Sequence, residues 1–91
     1  MEAKLIRIKD KQPTLKEIQK MVGGYLEFVW DNGDIQIICN EEGKLMGLPY
    51  NKEASEVWYN MVREANGGSI HDEVDCLVGD VVILEGEARL N

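Results

Sequence analysis

The chain has 91 residues and little of what chemistry usually needs. There is one histidine, His71, and there are two cysteines, Cys39 and Cys76. One His with one Cys supplies too few ligands for a zinc site. No G-x-S-x-G elbow occurs, and a Cys–His nucleophile pair would need a third orienting group that the pattern does not offer. Both cysteines read as structural thiols, Cys76 because it opens an apolar strand. Two cysteines are too few for a disulfide framework and fit a reduced, cytoplasmic setting. No apolar run approaches the roughly 18 residues that a membrane-crossing helix requires. The opening, MEAKLIRIKDK, breaks its apolar positions with charges, so no secretory leader is expected. Phosphate cradles place glycines ahead of a helix. Here Gly23-Gly24 and Gly67-Gly68 follow helical patterns and act as stops. No repeat, low-complexity segment or linker interrupts the chain, which leads us to expect a single domain over 1–91. No catalytic residue, metal or cofactor is expected, and the chain reads as a non-enzyme.

What is present is a lopsided charge. The total is −7. Residues 1–40 carry six Lys/Arg and six Asp/Glu, whereas residues 41–91 carry four and eleven, so all the net acidity lies in the second half. Nucleic-acid binding needs a basic surface to meet phosphates, so direct binding is disfavoured, as is adhesion to an anionic membrane. A basic protein partner fits the sign; plain solubility fits it equally. Hydrophobic residues make up 44%, enough for one modest core. A domain this small buries only about 60–65% of its chain surface, which leaves room for a homodimer as added stability.

The chain is punctuated clearly. KLIRIKD (4–10) suggests a short first strand. Thr14-Leu-Lys-Glu17 fits a capping box, with Leu15, Ile18 and Val22 at helical spacing behind it and Gly23-Gly24 as the stop. YLEFVW (25–30), DNGD (31–34) and IQIIC (35–39) form a hairpin signal, Asn32-Gly33 being its turn. Glu41 to Lys44 looks like a second tight turn in which Gly43 takes a positive φ. Leu45 to Leu48 is expected as a brief returning strand, with Gly47 relieving crowding. Asn51 is a good N-cap. Ala54, Val57, Trp58, Met61, Val62 and Ala65 form an amphipathic stripe ended by Asn66-Gly67-Gly68. SIHDEVD (69–75) is a polar connector. Cys76–Val78 and Val81–Leu84 are two short strands around a Gly79-Asp80 bulge or corner, and the last residues add an edge or fray. The order β-α-β-β-(β)-α-β-β gives an α+β class with a mainly antiparallel sheet and two helices.

Two clusters invite a site reading. His71, Asp72, Glu73 and Asp75 share a connector, but the EF-hand spacing is missing, and a solvated loop accounts for them. Glu42-Gly43-Lys44 sets backbone N–H groups and one cation near the second helix, a weak anion site or an ordinary turn. Trp58 reads as core. Tyr50 and Tyr59 are candidates for exposure, and tyrosine is favoured in contact surfaces.

MVGGYLEFVW (21–30), IICNEEGKLMGLPYN (37–51) and CLVGDVVILEG (76–86) together resemble a family of small uncharacterised domains of bacteriophages, plasmids and other mobile elements. The family pattern looks like VGGYIE followed by ICNEEGKLxGLPxN. The match covers most of the chain, and residues 39–51 carry it; Gly79-Asp80 interrupts a strand that is more purely apolar in the family. The resemblance implies a context and no chemistry. It suggests a cytoplasmic, host-modulating or counter-defence protein, for example an anti-CRISPR-like inhibitor. Such a protein would occlude the basic surface of a host or defence protein with its acidic half. The expected binding residues are Asn40, Glu41, Glu42, Lys44, Tyr50, Asn51, Glu53, Glu56, Glu64, Asp72, Glu73 and Asp75. The alternative is a nucleotide-like signalling ligand held in a pocket near the 40–51 loop, with Lys44 and Arg7 or Arg63 as cations.

Overall fold

A computed structural model describes residues 3–65, 67 and 76–90. The elements run β1 (Leu5–Ile8), α1 (Leu15–Val22), β2 (Leu26–Asp31), β3 (Ile35–Asn40), α2 (Lys52–Ala65) and β4 (Val81–Glu85), followed by a 3-10 turn over Gly86–Ala88. Among the described residues the sheet has four strands in the order β1-β4-β3-β2. The α+β class with a mostly antiparallel sheet holds: β2–β3 and β3–β4 are antiparallel. The exception is β1, which pairs in parallel with β4, Leu5 opposite Val81 and Ile8 opposite Leu84.

The central strands explain their own sequences. β3 and β4 have a neighbour on each side and a helix over each face, so both sets of alternating side chains are buried and the strands read as apolar runs. Ile38, Val82 and Leu84 join Ile18 and Val22 of α1 on one face. Ile37, Cys39, Val81 and Ile83 join Ala54, with Val57, Trp58 and Met61 of α2, on the other. Each Ile or Val so buried contributes about 1.5–3 kcal/mol.

The local punctuation holds. Thr14 Oγ1 accepts from the Glu17 N–H at 3.1 Å, and the Glu17 carboxylate accepts from the Thr14 N–H at 2.9 Å, completing the capping box. Gly23 caps α1 at φ 81°. The hairpin turn places only Gly33 at positive φ. Asn32 stays out of the left-handed region, and its carboxamide oxygen accepts instead from the N–H groups of Asp34 and Ile35. A bulge at Val29 shifts the register so that Phe28 faces Ile38 while Trp30 faces Ile37. Both Val29 and Trp30 thereby pack on the α2 side.

Three expectations are corrected. Leu45–Leu48 is not a strand: residues 41–47 form consecutive turns closed by N–H donation from Met46 to Glu42, Gly47 to Lys44 and Leu48 to Gly43. The 76–78 segment contributes an isolated bridge, Val78 to Tyr50, and no full strand, because Gly79 at φ 73° turns the chain before β4. Residues 86–90 neither fray nor add an edge. Ala88 is fully buried, and the Gln36 carboxamide holds Leu90 at both its N–H (2.7 Å) and its carbonyl (2.7 Å). The expected stop at Asn66-Gly67-Gly68 is described only at Gly67, whose φ of 68° suits it. The connector 69–75 lies outside the described residues.

Candidate functional site

The three motifs that carry the resemblance meet in space. Asn40, at the end of β3, is 4% exposed. Its Nδ2 donates to the Val22 carbonyl at 3.1 Å and contacts Met46 Sδ at 3.6 Å, and its Oδ1 accepts from the Glu42 N–H at 2.8 Å. The Val22 carbonyl is one of those a helix end leaves unpaired. A Cβ on Gly24 would lie 3.0 Å from Asn40 Nδ2, so a side chain there would press on the carboxamide that makes these bonds. The Glu41 N–H closes the contact by donating to the Tyr25 carbonyl at 2.8 Å. VGGY and ICNEEG are therefore one packed unit.

The third motif docks on the other side of the loop. Gly79 N–H donates to the Pro49 carbonyl at 2.7 Å, and Asn51 N–H donates to the Leu77 carbonyl at 2.8 Å. Leu48 fills the corner so closely that a Cβ on Gly79 would come within 2.6 Å of Leu48 Cδ1. The roles expected for two glycines are exchanged. Gly43 has no positive φ; it is glycine for space, since a Cβ would meet Val78 Cγ2 at 2.9 Å. Gly47 has open space around it but sits at φ 68°.

Asn51 is the N-cap of α2, its Oδ1 accepting from the Ala54 N–H at 3.0 Å. Its Nδ2 also donates to the carbonyls of Lys4 and Gly79, each at 2.9 Å, tying α2 to the start of β1 and to the corner before β4. Two expected binding residues, Asn40 and Asn51, are thus both buried, with their carboxamides occupied by backbone groups.

The loop so anchored leaves Leu45 87% exposed, Met46 56% and Tyr50 54%. Beside them Glu41, Glu42, Lys44 and Glu53 are exposed. Glu53, Glu56 and Glu64 share one exposed stripe of α2, but Glu53 and Glu64 stand about 16 Å apart along the axis, too far to converge on one small ligand. Asp72, Glu73 and Asp75 lie outside the described residues. Arg7 pairs with Glu85 at 3.7 Å across β1–β4.

Under the loop, on the α2 face, is a cavity of about 360 Å³ whose lining includes Glu27, Cys39, Glu41, Lys44, Leu45 and Trp58. Burial pushes the Cys39 thiol up to about 11, and the Glu27 carboxylate, 3.9 Å from Cys39 Sγ, acts in the same direction while Lys44 opposes it. A thiol so held is a neutral wall and a poor nucleophile. Cys76, half-buried, also lines this space. Sequence reasoning missed Glu27 and gave Trp58 to the core alone. The available signal for Glu27 was one carboxylate inside the otherwise apolar YLEFVW. A second hollow, about 510 Å³, lies between the hairpin turn and the end of α2, where Glu64 and Trp30 line it. Among the described residues no group of three or more His, Cys, Asp or Glu side chains is placed to hold a metal ion, and no helix is long and apolar enough to cross a membrane.

No curated protein and no solved structure matches the chain. The family described as "Domain of unknown function (DUF3846)" matches residues 1–89. With nearly every residue covered, and with the three motifs joined in one loop assembly, the chain belongs to this family of domains of unknown function.

Proposed function

We propose that the chain is a non-enzymatic binding protein that occludes a basic surface on a protein partner. The contact would be made by the 41–50 loop and the carboxylates next to it. The observation that carries this reading is the cost at which the loop is held. Buried hydrogen bonds from Asn40 and Asn51 and close-packed Gly43 and Gly79 fix a loop whose largest apolar side chains, Leu45, Met46 and Tyr50, face solvent. Folding alone favours burying such side chains, and interfaces favour tyrosine, methionine and a polar rim. The acidity of residues 41–91 supplies that rim and would steer a basic partner. The likeness to domains of mobile elements supports a host or defence protein as the target and the host cytoplasm as the setting, with counter-defence as the biological role.

The test is affinity capture from the host, followed by titration of the purified partner. A one-to-one complex should form, weaken as salt is raised, and be lost in the Leu45→Asp/Tyr50→Ser double variant. Capture that survives both the double variant and 0.5 M salt (roughly a 4 Å screening length) would sink the proposal.

The alternative, a nucleotide-like ligand, has a cavity beside the loop in its favour. Its weakness is that Glu27 and Glu41 outnumber Lys44 among the described residues of the lining. A flat thermal-shift response across a nucleotide panel would remove it.

A further inference from the structure

We propose that the cavity beneath the loop is a socket for one guanidinium side chain, an arginine that the partner inserts between the Glu27 and Glu41 carboxylates and the Trp58 indole. This rests on the reading of the loop as a partner-binding surface and adds the chemistry that would recognise the partner.

Three features of the lining point the same way. The first is charge: among the described residues of the lining Glu27 and Glu41 face one lysine, Lys44, and these groups sum to a negative charge that repels phosphate or carboxylate ligands. The second is the aromatic wall. Trp58 is the side chain type that holds a cation best over its ring face, and arginine is the cation that most often takes this place. The third is the floor. Cys39 is 6% exposed and is kept as a neutral thiol by burial, so it adds no anion to the floor. The volume, about 360 Å³, lies at the lower end of ordinary ligand pockets and so suits a single side chain better than a dinucleotide. Leu45, 87% exposed and part of the same lining, stands at the mouth, where it would cover the aliphatic stem of the inserted residue.

Arginine is favoured over lysine for a geometric reason. Its planar fork can donate to two carboxylates while stacking on indole, whereas an ammonium is a compact, strongly hydrated charge.

The probe is N-acetyl-arginine amide, titrated into the full chain and followed by amide and indole NMR shifts, with N-acetyl-citrulline amide as the neutral isostere. The arginine probe should give saturable shifts at the Trp58 indole and at the Glu27, Cys39 and Glu41 amides, and citrulline should give none. Glu27→Gln should weaken the arginine probe by up to roughly fivefold. Trp58→Phe should weaken it by roughly two- to fivefold with the amide spectrum still that of a folded chain. Equal shifts from citrulline, shifts scattered over the α2 carboxylates, or no saturation at these four residues would each overturn the socket. The probes need no partner, so the socket can fail while loop-dependent capture stands, and capture can fail while the probes still bind.

Discussion

The two faces of the sheet are packed to different standards. On the α1 face, Ile18 and Val22 sit directly on Ile38, Val82 and Leu84, and the chain returns over them with Ala88 and Leu90. Five of those residues are β-branched or small, so the helix approaches closely and the layer closes. On the α2 face Ala54 and Val57 also pack on the strands, but the long side chains Trp30, Trp58 and Met61 stand beside them. Large side chains hold a helix off the sheet, and the spaces left are the two hollows, one beneath the 41–50 loop and one at the hairpin turn. Among the described residues the buried Trp30 Nε1–H has no hydrogen-bond partner. One face is built for folding, and the other keeps room and exposed side chains beside it.

That contrast can be broken most strongly from the closed face. Ile38→Ala should cost about 3–4 kcal/mol in urea denaturation, because the cavity it leaves has no room to collapse. Asn51→Ala comes next, at about 3 kcal/mol: it removes a helix cap and strands the Gly79 carbonyl, while the Lys4 carbonyl keeps the Val81 N–H, and Ser at the same place should restore the cap portion only. The two glycines of the loop separate space from conformation. Gly43→Ala should cost about 2 kcal/mol through the Val78 clash, and Gly47→Ala about 1 kcal/mol through its positive φ. A Val78→Ala background should relieve the first and leave the second unchanged. Smallest of all, Leu45→Ser should lie within about 0.5 kcal/mol of the parent in the same assay while abolishing partner capture. A stability loss above that would mean Leu45 serves the fold.

Cys39 provides a pH test of the same contrast. Its folded pKa is raised, so the native state favours the protonated thiol. The stabilisation is complete below the unfolded value of about 8.5 and fades as pH rises towards 11. Alkylation by iodoacetamide at pH 8 should therefore modify Cys76 first and Cys39 only with unfolding. Rapid double labelling of the folded chain would contradict the burial of Cys39.

The sequence by itself determined the local devices. The capping box at Thr14 and Glu17, the stop at Gly23, the hairpin around Gly33, the cap at Asn51 and the amphipathic stripe of α2 each depend on residues within a few positions, so their signals survive without the fold. It also showed that residues 39–51 are distinctive, although it gave Leu45–Leu48 to a strand where the structure has consecutive turns. Only tertiary structure decided the rest. The parallel pairing of β1 with β4 joins residues some 76 positions apart, beyond any local pattern. Whether Gly43 or Gly47 is needed for space depends on Val78, a neighbour brought in by the chain's return. Asn40 and Asn51 look like polar surface residues until their carboxamides are seen filling the carbonyls of α1, β1 and the corner before β4. The reason is the same in each case. A buried polar group must be paired, a close approach excludes a Cβ, and both conditions are set by which distant segments meet.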